Sequence, residues 1–99
     1  MARLLDDADV TQALESDLPL WVREDDAIIR SVTASTFAEG VRLVDQVAVL
    51  AEQRDHHPDI DIRWTAVTFR LSTHSAGGLT RKDLDLAAEI DQLISPSSA

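Results

Sequence analysis

Cysteine is absent from the 99-residue chain, and glycine, proline and aromatic side chains are scarce. Without thiols there can be no disulfide, no cysteine nucleophile and no thiolate metal site, a composition typical of the cytoplasm, where we predict this protein to lie. No apolar run approaches the roughly 20 residues of a membrane helix, and the N-terminus lacks a signal-peptide pattern. We therefore expect no membrane association.

Basic residues are also few, with 9 Lys and Arg against 18 Asp and Glu, which gives a net charge of −9. This charge repels phosphate backbones, so no direct nucleic-acid partner is expected. The length predicts one domain, residues 1–99, in which residues 94–99 form a frayed tail. A domain this small buries a modest fraction of its surface, so self-association would help its stability.

Periodicity predicts seven elements. The expected elements are a helix at 7–16, strands at 21–24 and 27–33 joined by a turn at Asp25-Asp26, a helix at 36–54 capped by Ser35 or Thr36, strands at 60–64 and 67–71, and a helix from Thr80 to about 94. Paired strands favour an antiparallel sheet, and the helices must cover one of its faces. The prediction is an α+β fold, αββαββα, with a four-stranded antiparallel sheet and helices packed on one face.

Three details of the pattern carry specific expectations. The stripe of the long helix consists of Phe37, Val41, Val44, Ala48 and Ala51, widened by Val47 and Leu50. The stripe of the last helix consists of Leu84, Ala87, Ala88 and Ile90. Between the third and fourth strands the apolar positions change from even, ending at Trp64, to odd, starting at Val67, which predicts a turn or bulge at 65–66.

Two of the three histidines are adjacent, in the stretch DHHPDIDIRW at 55–64. His56 and His57 precede the third strand, and His74 follows the fourth. If those strands form a hairpin, all three histidines meet at one end of the sheet. They could be exposed or hydrogen-bonded structural residues, they could bind zinc, or they could perform acid–base chemistry near neutral pH. Adjacent histidines rarely bind one ion, so the metal interpretation is the weakest.

Other candidates have a structural and a functional interpretation. Thr80-x-x-Asp83 resembles a capping box, and Asp83 could also orient His74 or a neighbouring group. Glu52 lies one turn before His56, where a solvated helix face is its simplest role. Trp21 and Trp64 are most simply core or interface residues, although either could line a pocket for a flat ring.

Four motifs together resemble the signature of pterin-4a-carbinolamine dehydratases. They are Glu52-x-x-x-His56-His57-Pro58, an aromatic at Trp64, Ser72-Thr73-His74 and Gly78-Leu79-Thr80-x-x-Asp83. The resemblance implies the αββαββα fold and dehydration of 4a-hydroxytetrahydropterin to quinonoid dihydropterin, in recycling of the tetrahydrobiopterin used by aromatic amino acid hydroxylases. It implies no metal and no cofactor, since the pterin is the substrate, and it implies a homodimer or homotetramer.

The resemblance also implies the roles of individual residues. His56 and His74 would be the acid–base pair, and His57 would bind and orient the pterin. Asp83 would support the histidines, with Glu52, Trp64, Ser72 and Thr73 assisting. The alternatives are a non-catalytic protein-binding, assembly or transcriptional cofactor module on the same fold, an acid–base enzyme for another heterocycle, and a zinc-dependent hydrolase.

Overall fold

The computed structural model describes residues 3–95. Its helices and strands are, in chain order, α1 Asp7–Ser16, β1 Val22–Glu24, β2 Ala27–Thr33, α2 Phe37–Arg54, β3 Asp59–Arg63, β4 Ala66–Leu71 and α3 Arg81–Ile94, with a 3₁₀ turn at His74–Ala76. The α+β class and the order αββαββα are confirmed. Ile94 still belongs to α3, so the predicted tail does not begin there, and residues 96–99 lie outside the described part. Each helix within residues 3–95 is too short or too polar to cross a bilayer.

The helices begin where the sequence provides capping side chains. The Asp6 carboxylate accepts a hydrogen bond from the Asp9 N–H at 2.8 Å, and the Thr36 hydroxyl accepts one from the Glu39 N–H at 3.1 Å. These bonds satisfy N–H groups that have no partner inside the helix. Of the two caps predicted for α2, Thr36 is the one used.

The four strands form one antiparallel sheet in the order β1-β2-β4-β3. Asp59 lies opposite Arg70, and Ile62 lies opposite Val67. Because side chains alternate across a strand, one face of the sheet carries its large buried side chains. That face contains Ile28, Arg30, Val67, Phe69 and Leu71, with Ile60 and Ile62 partly buried at the edge. α2 and α3 pack against each other over it.

The hairpin turn between β3 and β4 lies at Trp64-Thr65, one residue earlier than predicted. Trp64 adopts the left-handed conformation at φ 53°, and Arg63 pairs with Ala66 across the turn. A phase change shows only that a reversal lies between the two apolar runs, so it does not fix the turn residue. The Trp64 side chain is 78% exposed, which makes the core interpretation of this residue wrong.

The buried side of α2 agrees with the predicted stripe except at its beginning and at Ala48. Val47 and Ala51 are buried and Val44 and Leu50 are partly buried, whereas Phe37 and Val41 are exposed and Gly40 is buried near them. A Cβ added at Gly40 would lie 3.2 Å from Val67 Cγ2, so the missing side chain is what lets α2 approach β4. In α3 the predicted residues Leu84, Ala87 and Ile90 are buried, Leu86 joins them, and only Ala88 is exposed. The packing sides were therefore predicted correctly except in the first turns of α2, at Ala48 and at Ala88.

A buried ion pair joins the sheet to α3. The Arg30 guanidinium donates to Asp91 Oδ1 at 2.5 Å, and the Trp21 indole N–H donates to the same oxygen at 2.8 Å. The Arg30 side chain is 9% exposed and that of Asp91 is 23% exposed. A charge held this far from water is tolerated only with its partner in place.

Replacing Arg30 with methionine should therefore lower the free energy of unfolding by about 3 kcal/mol, because the Asp91 carboxylate loses its buried counter-ion. The measurement is urea denaturation followed by circular dichroism. Arg63→Met is the matched control: Arg63 pairs with Asp61, but its side chain is 83% exposed. Its cost should stay below about 1 kcal/mol. Equal costs in the two variants would show that the buried pair contributes no more than a surface pair.

Candidate active site

The end of α2 sets the position of His56. Asp55 follows the last helical residue in the left-handed conformation, at φ 49°. The His56 N–H then bonds back to the Ala51 carbonyl at 3.0 Å, which closes the helix. This reversal folds His56 inward toward α3, where it is 8% exposed, and leaves His57 outside. Pro58 follows and leads into β3.

His56 is anchored by the first turn of α3. Its Nε2 lies 2.6 Å from Asp83 Oδ1, and Asp83 is fully buried. The second carboxylate oxygen, Oδ2, accepts hydrogen bonds from the Thr80 N–H at 2.9 Å and the Thr73 hydroxyl at 2.8 Å. The predicted capping box is thus formed, and Asp83 also orients a histidine, which is His56 and not His74. The local and the functional interpretation of this residue hold together.

The directions of these hydrogen bonds follow from the number of protons available. The single hydroxyl proton of Thr73 goes to Asp83, so in the 2.7 Å contact between Thr73 and Thr80 the hydroxyl of Thr80 must donate. Thr80 Oγ1 in turn accepts from the Lys82 N–H at 3.2 Å. An ionised Asp83 can only accept, so Nε2 of His56 carries a proton. The Nδ1 atom of His56 is then the ring nitrogen that can exchange a proton with a bound molecule.

The other two histidines are more accessible. His57 Nε2 is hydrogen-bonded to the Glu52 carboxylate, and both side chains are more than half exposed. His74 opens the 3₁₀ turn beyond β4 and is exposed. No hydrogen bond from its ring to another residue is found within the described residues 3–95. Its imidazole is therefore available to a ligand.

All three histidines line one cavity of about 460 Å³ at the end of the sheet where β3 begins and β4 ends. The lining residues are Asp55, His56, His57, Ser72, Thr73, His74, Ser75 and Lys82. The hairpin argument from the sequence thus describes the geometry correctly. Among residues 3–95, no group of three or more His, Asp or Glu side chains is arranged to hold a metal ion.

The cavity includes most of the predicted site residues. Ser72 and Thr73 line it beside the histidines, Asp83 lies behind His56, and Glu52 reaches it through His57. Trp64 is not brought there, because it occupies the turn at the opposite end of the β3–β4 hairpin.

Sequence reasoning missed three lining residues. These are Asp55, Ser75 and Lys82. Each is adjacent in sequence to a predicted site residue, and this adjacency is the sequence signal that could have identified them.

Comparison with protein families shows what the chain is similar to. The profile described as pterin 4 alpha carbinolamine dehydratase matches residues 3–93. The chain belongs to this family. Two relatives carry the name "Putative pterin-4-alpha-carbinolamine dehydratase". One, from Nocardia farcinica, is 58% identical over 91% of this chain and 94% of its own. The other, from Roseiflexus castenholzii, is 51% identical over 95% of this chain and 100% of its own.

Solved structures agree with the dehydratase family fold. A crystal structure described as a transcriptional coactivator/pterin dehydratase from Brucella melitensis superposes with a TM-score of 0.85 at 30% identity, over 90% of this chain and 96% of that one. A pterin dehydratase-like protein described as a RuBisCO assembly factor in the alpha-carboxysome superposes with a TM-score of 0.63 at 22% identity, over 78% and 89%. The second shares the fold.

Asp83→Asn should reverse the tautomer of His56. The amide oxygen must face the Thr80 N–H, which can only donate, so the amide NH₂ group would face Nε2 of His56. That nitrogen must then accept a hydrogen bond, and the ring proton moves to Nδ1. Nitrogen-15 chemical shifts of the neutral imidazole distinguish the two tautomers. We expect Nε2–H in the wild type and Nδ1–H in the variant.

Glu52→Gln is the control for this change. It alters a carboxylate that contacts His57 instead. The His56 signals should keep their wild-type pattern in this variant. If Asp83→Asn also left them unchanged, Asp83 would not be the group that orients His56.

Proposed function

We propose that this protein is a hydro-lyase that dehydrates 4a-hydroxytetrahydropterin to quinonoid dihydropterin. The observation that carries the proposal is the meeting of His56, His57 and His74 in one cavity, with His56 held by a buried carboxylate. Membership of the dehydratase family supports it. The reaction needs a proton donor and a proton acceptor that work near neutral pH, and imidazoles are the side chains suited to both tasks.

The chemistry needs two coordinated proton movements. One imidazolium protonates the C4a hydroxyl, which leaves as water when the C–O bond breaks. A neutral imidazole removes a proton from a ring nitrogen, whose electron pair forms the new C=N bond. One histidine loses a proton and the other gains one, so exchange with water restores the enzyme. The proposed reaction uses no metal ion and no redox cofactor.

The contacts of each histidine suggest how the tasks are divided. Asp83 accepts from Nε2 of His56 and would stabilise the imidazolium formed when Nδ1 takes a proton, which suits His56 to the base role. His74 is exposed, so it can be reprotonated from water and is suited to the acid role. His57, paired with Glu52, would hold the pterin ring.

We place this reaction in the recycling of tetrahydrobiopterin, after an aromatic amino acid hydroxylase. The cytoplasmic location and the homodimer or homotetramer remain predictions. A role for Trp64 in the site also remains a prediction, and it would need a second copy of the chain to bring Trp64 to the cavity. The exposed apolar residues Phe37 and Val41 on α2 are surface that self-association would cover.

The direct test is the dehydration rate of freshly generated 4a-hydroxytetrahydropterin. The variants are His56→Gln, which keeps an N–H donor for Asp83, together with His56→Ala and His74→Ala. Loss of an acid or base should lower kcat by about 10²-fold or more. Circular dichroism checks the fold of each variant.

Arg63→Met, near the far end of the hairpin, is the activity control and should turn over at the wild-type rate. A wild type no faster than buffer would refute the dehydratase assignment. The protein would then be pursued as a non-catalytic binding module on this fold.

A further inference from the structure

A second cavity, of about 340 Å³, adjoins the histidine cavity. It is lined by Asp26, Asp59, Arg70, Ser72, His74 and Gly77. Ser72 and His74 line both cavities, so the two spaces share a wall. The second cavity lies toward the face of the sheet that no helix covers, where Arg70 of β4 is directly opposite Asp59 of β3.

The charges around this cavity are unevenly balanced. The Arg70 guanidinium lies 3.2 Å from the Glu24 carboxylate and 3.9 Å from that of Asp26. Its positive charge is thus offset by the β1–β2 hairpin. Asp59 makes no ion pair within the described residues 3–95, and its side chain is exposed to the cavity. The permanently charged side chains of the wall, Asp26, Asp59 and Arg70, therefore carry an excess of one negative charge, counted without the proton that His74 can carry.

The hydrogen-bonding groups of the wall are mixed. Asp59 offers carboxylate oxygens, and the Arg70 guanidinium has more N–H groups than its contact with Glu24 uses. The Ser72 hydroxyl donates to the Asp26 carbonyl at 2.8 Å, which leaves its oxygen free to accept. Adjacent donors and acceptors match hydroxyl groups, which need both.

We propose that this second cavity binds the side chain at C6 of the pterin, and that Asp26 and Asp59 select neutral hydroxylated side chains over anionic ones. The inference rests on the proposed function. In a pterin only N5 separates C6 from C4a, so with C4a at the histidines a C6 substituent must leave the ring beside them. The adjoining cavity is where the shared wall of Ser72 and His74 would direct it.

The charges of the second cavity determine which pterin side chains are excluded from it. A phosphate or carboxylate on the side chain would meet the unpaired Asp59, and Arg70 could not compensate while held by Glu24 and Asp26. The chain's net charge of −9 adds to this repulsion. A neutral polyol meets neither penalty and can bond to Asp59 and Arg70.

The test compares 7,8-dihydroneopterin with its 3′-phosphate, which differ only by the anionic group. Dissociation constants are measured by fluorescence titration at low ionic strength. The wild type should bind the neutral compound about tenfold more tightly. Asp59→Asn should reduce this ratio several-fold, mainly by improving the affinity for the phosphate. Added salt should reduce the wild-type ratio as well.

Asp61→Asn is the matched control. It removes the same charge two residues further along β3, on the same sheet face but outside the cavity, where Asp61 bonds to Arg63. The wild-type ratio should persist. Equal ratios in Asp59→Asn and Asp61→Asn, or phosphate bound as tightly as the neutral compound by the wild type, would overturn the assignment.

The dehydration rate of the 6-methyl carbinolamine separates the two proposals, because that substrate has no polar side chain. If the wild type turns over this substrate but the neutral-to-phosphate binding ratio is the same in Asp59→Asn and Asp61→Asn, only the side-chain cavity is refuted. If neither turnover nor binding of any pterin is observed, both proposals fail.

Discussion

The buried carboxylate of Asp83 is the group on which the site depends. Its Oδ2 accepts from Thr80 and Thr73, and its Oδ1 contacts His56. A carboxylate away from water is costly unless its oxygens are hydrogen-bonded, and here both are used. The same group starts α3 and orients a histidine. The beginning of that helix and the chemistry of the site therefore cannot be altered independently.

Three chain reversals bring the site together. Asp25, Asp55 and Trp64 are the non-glycine residues with positive φ in the described chain, and each lies where the backbone turns. Asp55 folds His56 inward at the end of α2, and the Trp64 turn returns β4 alongside β3. Because aspartate tolerates the left-handed conformation better than most residues, two of these turns agree with local preference. Trp64 does not, and its conformation is imposed by the hairpin.

The predictable parts of the fold are those that depend on residues close together in the sequence. Caps such as Thr36, the Thr80–Asp83 box and the alternation of β3 and β4 act over a few residues, so the element bounds could be predicted closely. The first turns of α2 are different. The apolar pattern places Phe37 and Val41 on the buried side, but they are exposed and Gly40 is buried instead, and the lack of a side chain at Gly40 matters only once β4 lies beside it.

The site was predictable to the same extent. The histidines converge because one hairpin separates His56 and His57 from His74. The positions of these residues relative to the two strands could therefore be used to predict the convergence. Arg70 could not be found in this way, since its setting depends on Glu24 and Asp26 from the other hairpin. Strand alternation then explains how the end of β4 serves two purposes. Thr73 continues the inward positions and bonds to Asp83, whereas Ser72 and His74 continue the outward ones and line both cavities. A single strand end thus supports the buried carboxylate on one side and provides the binding surface on the other.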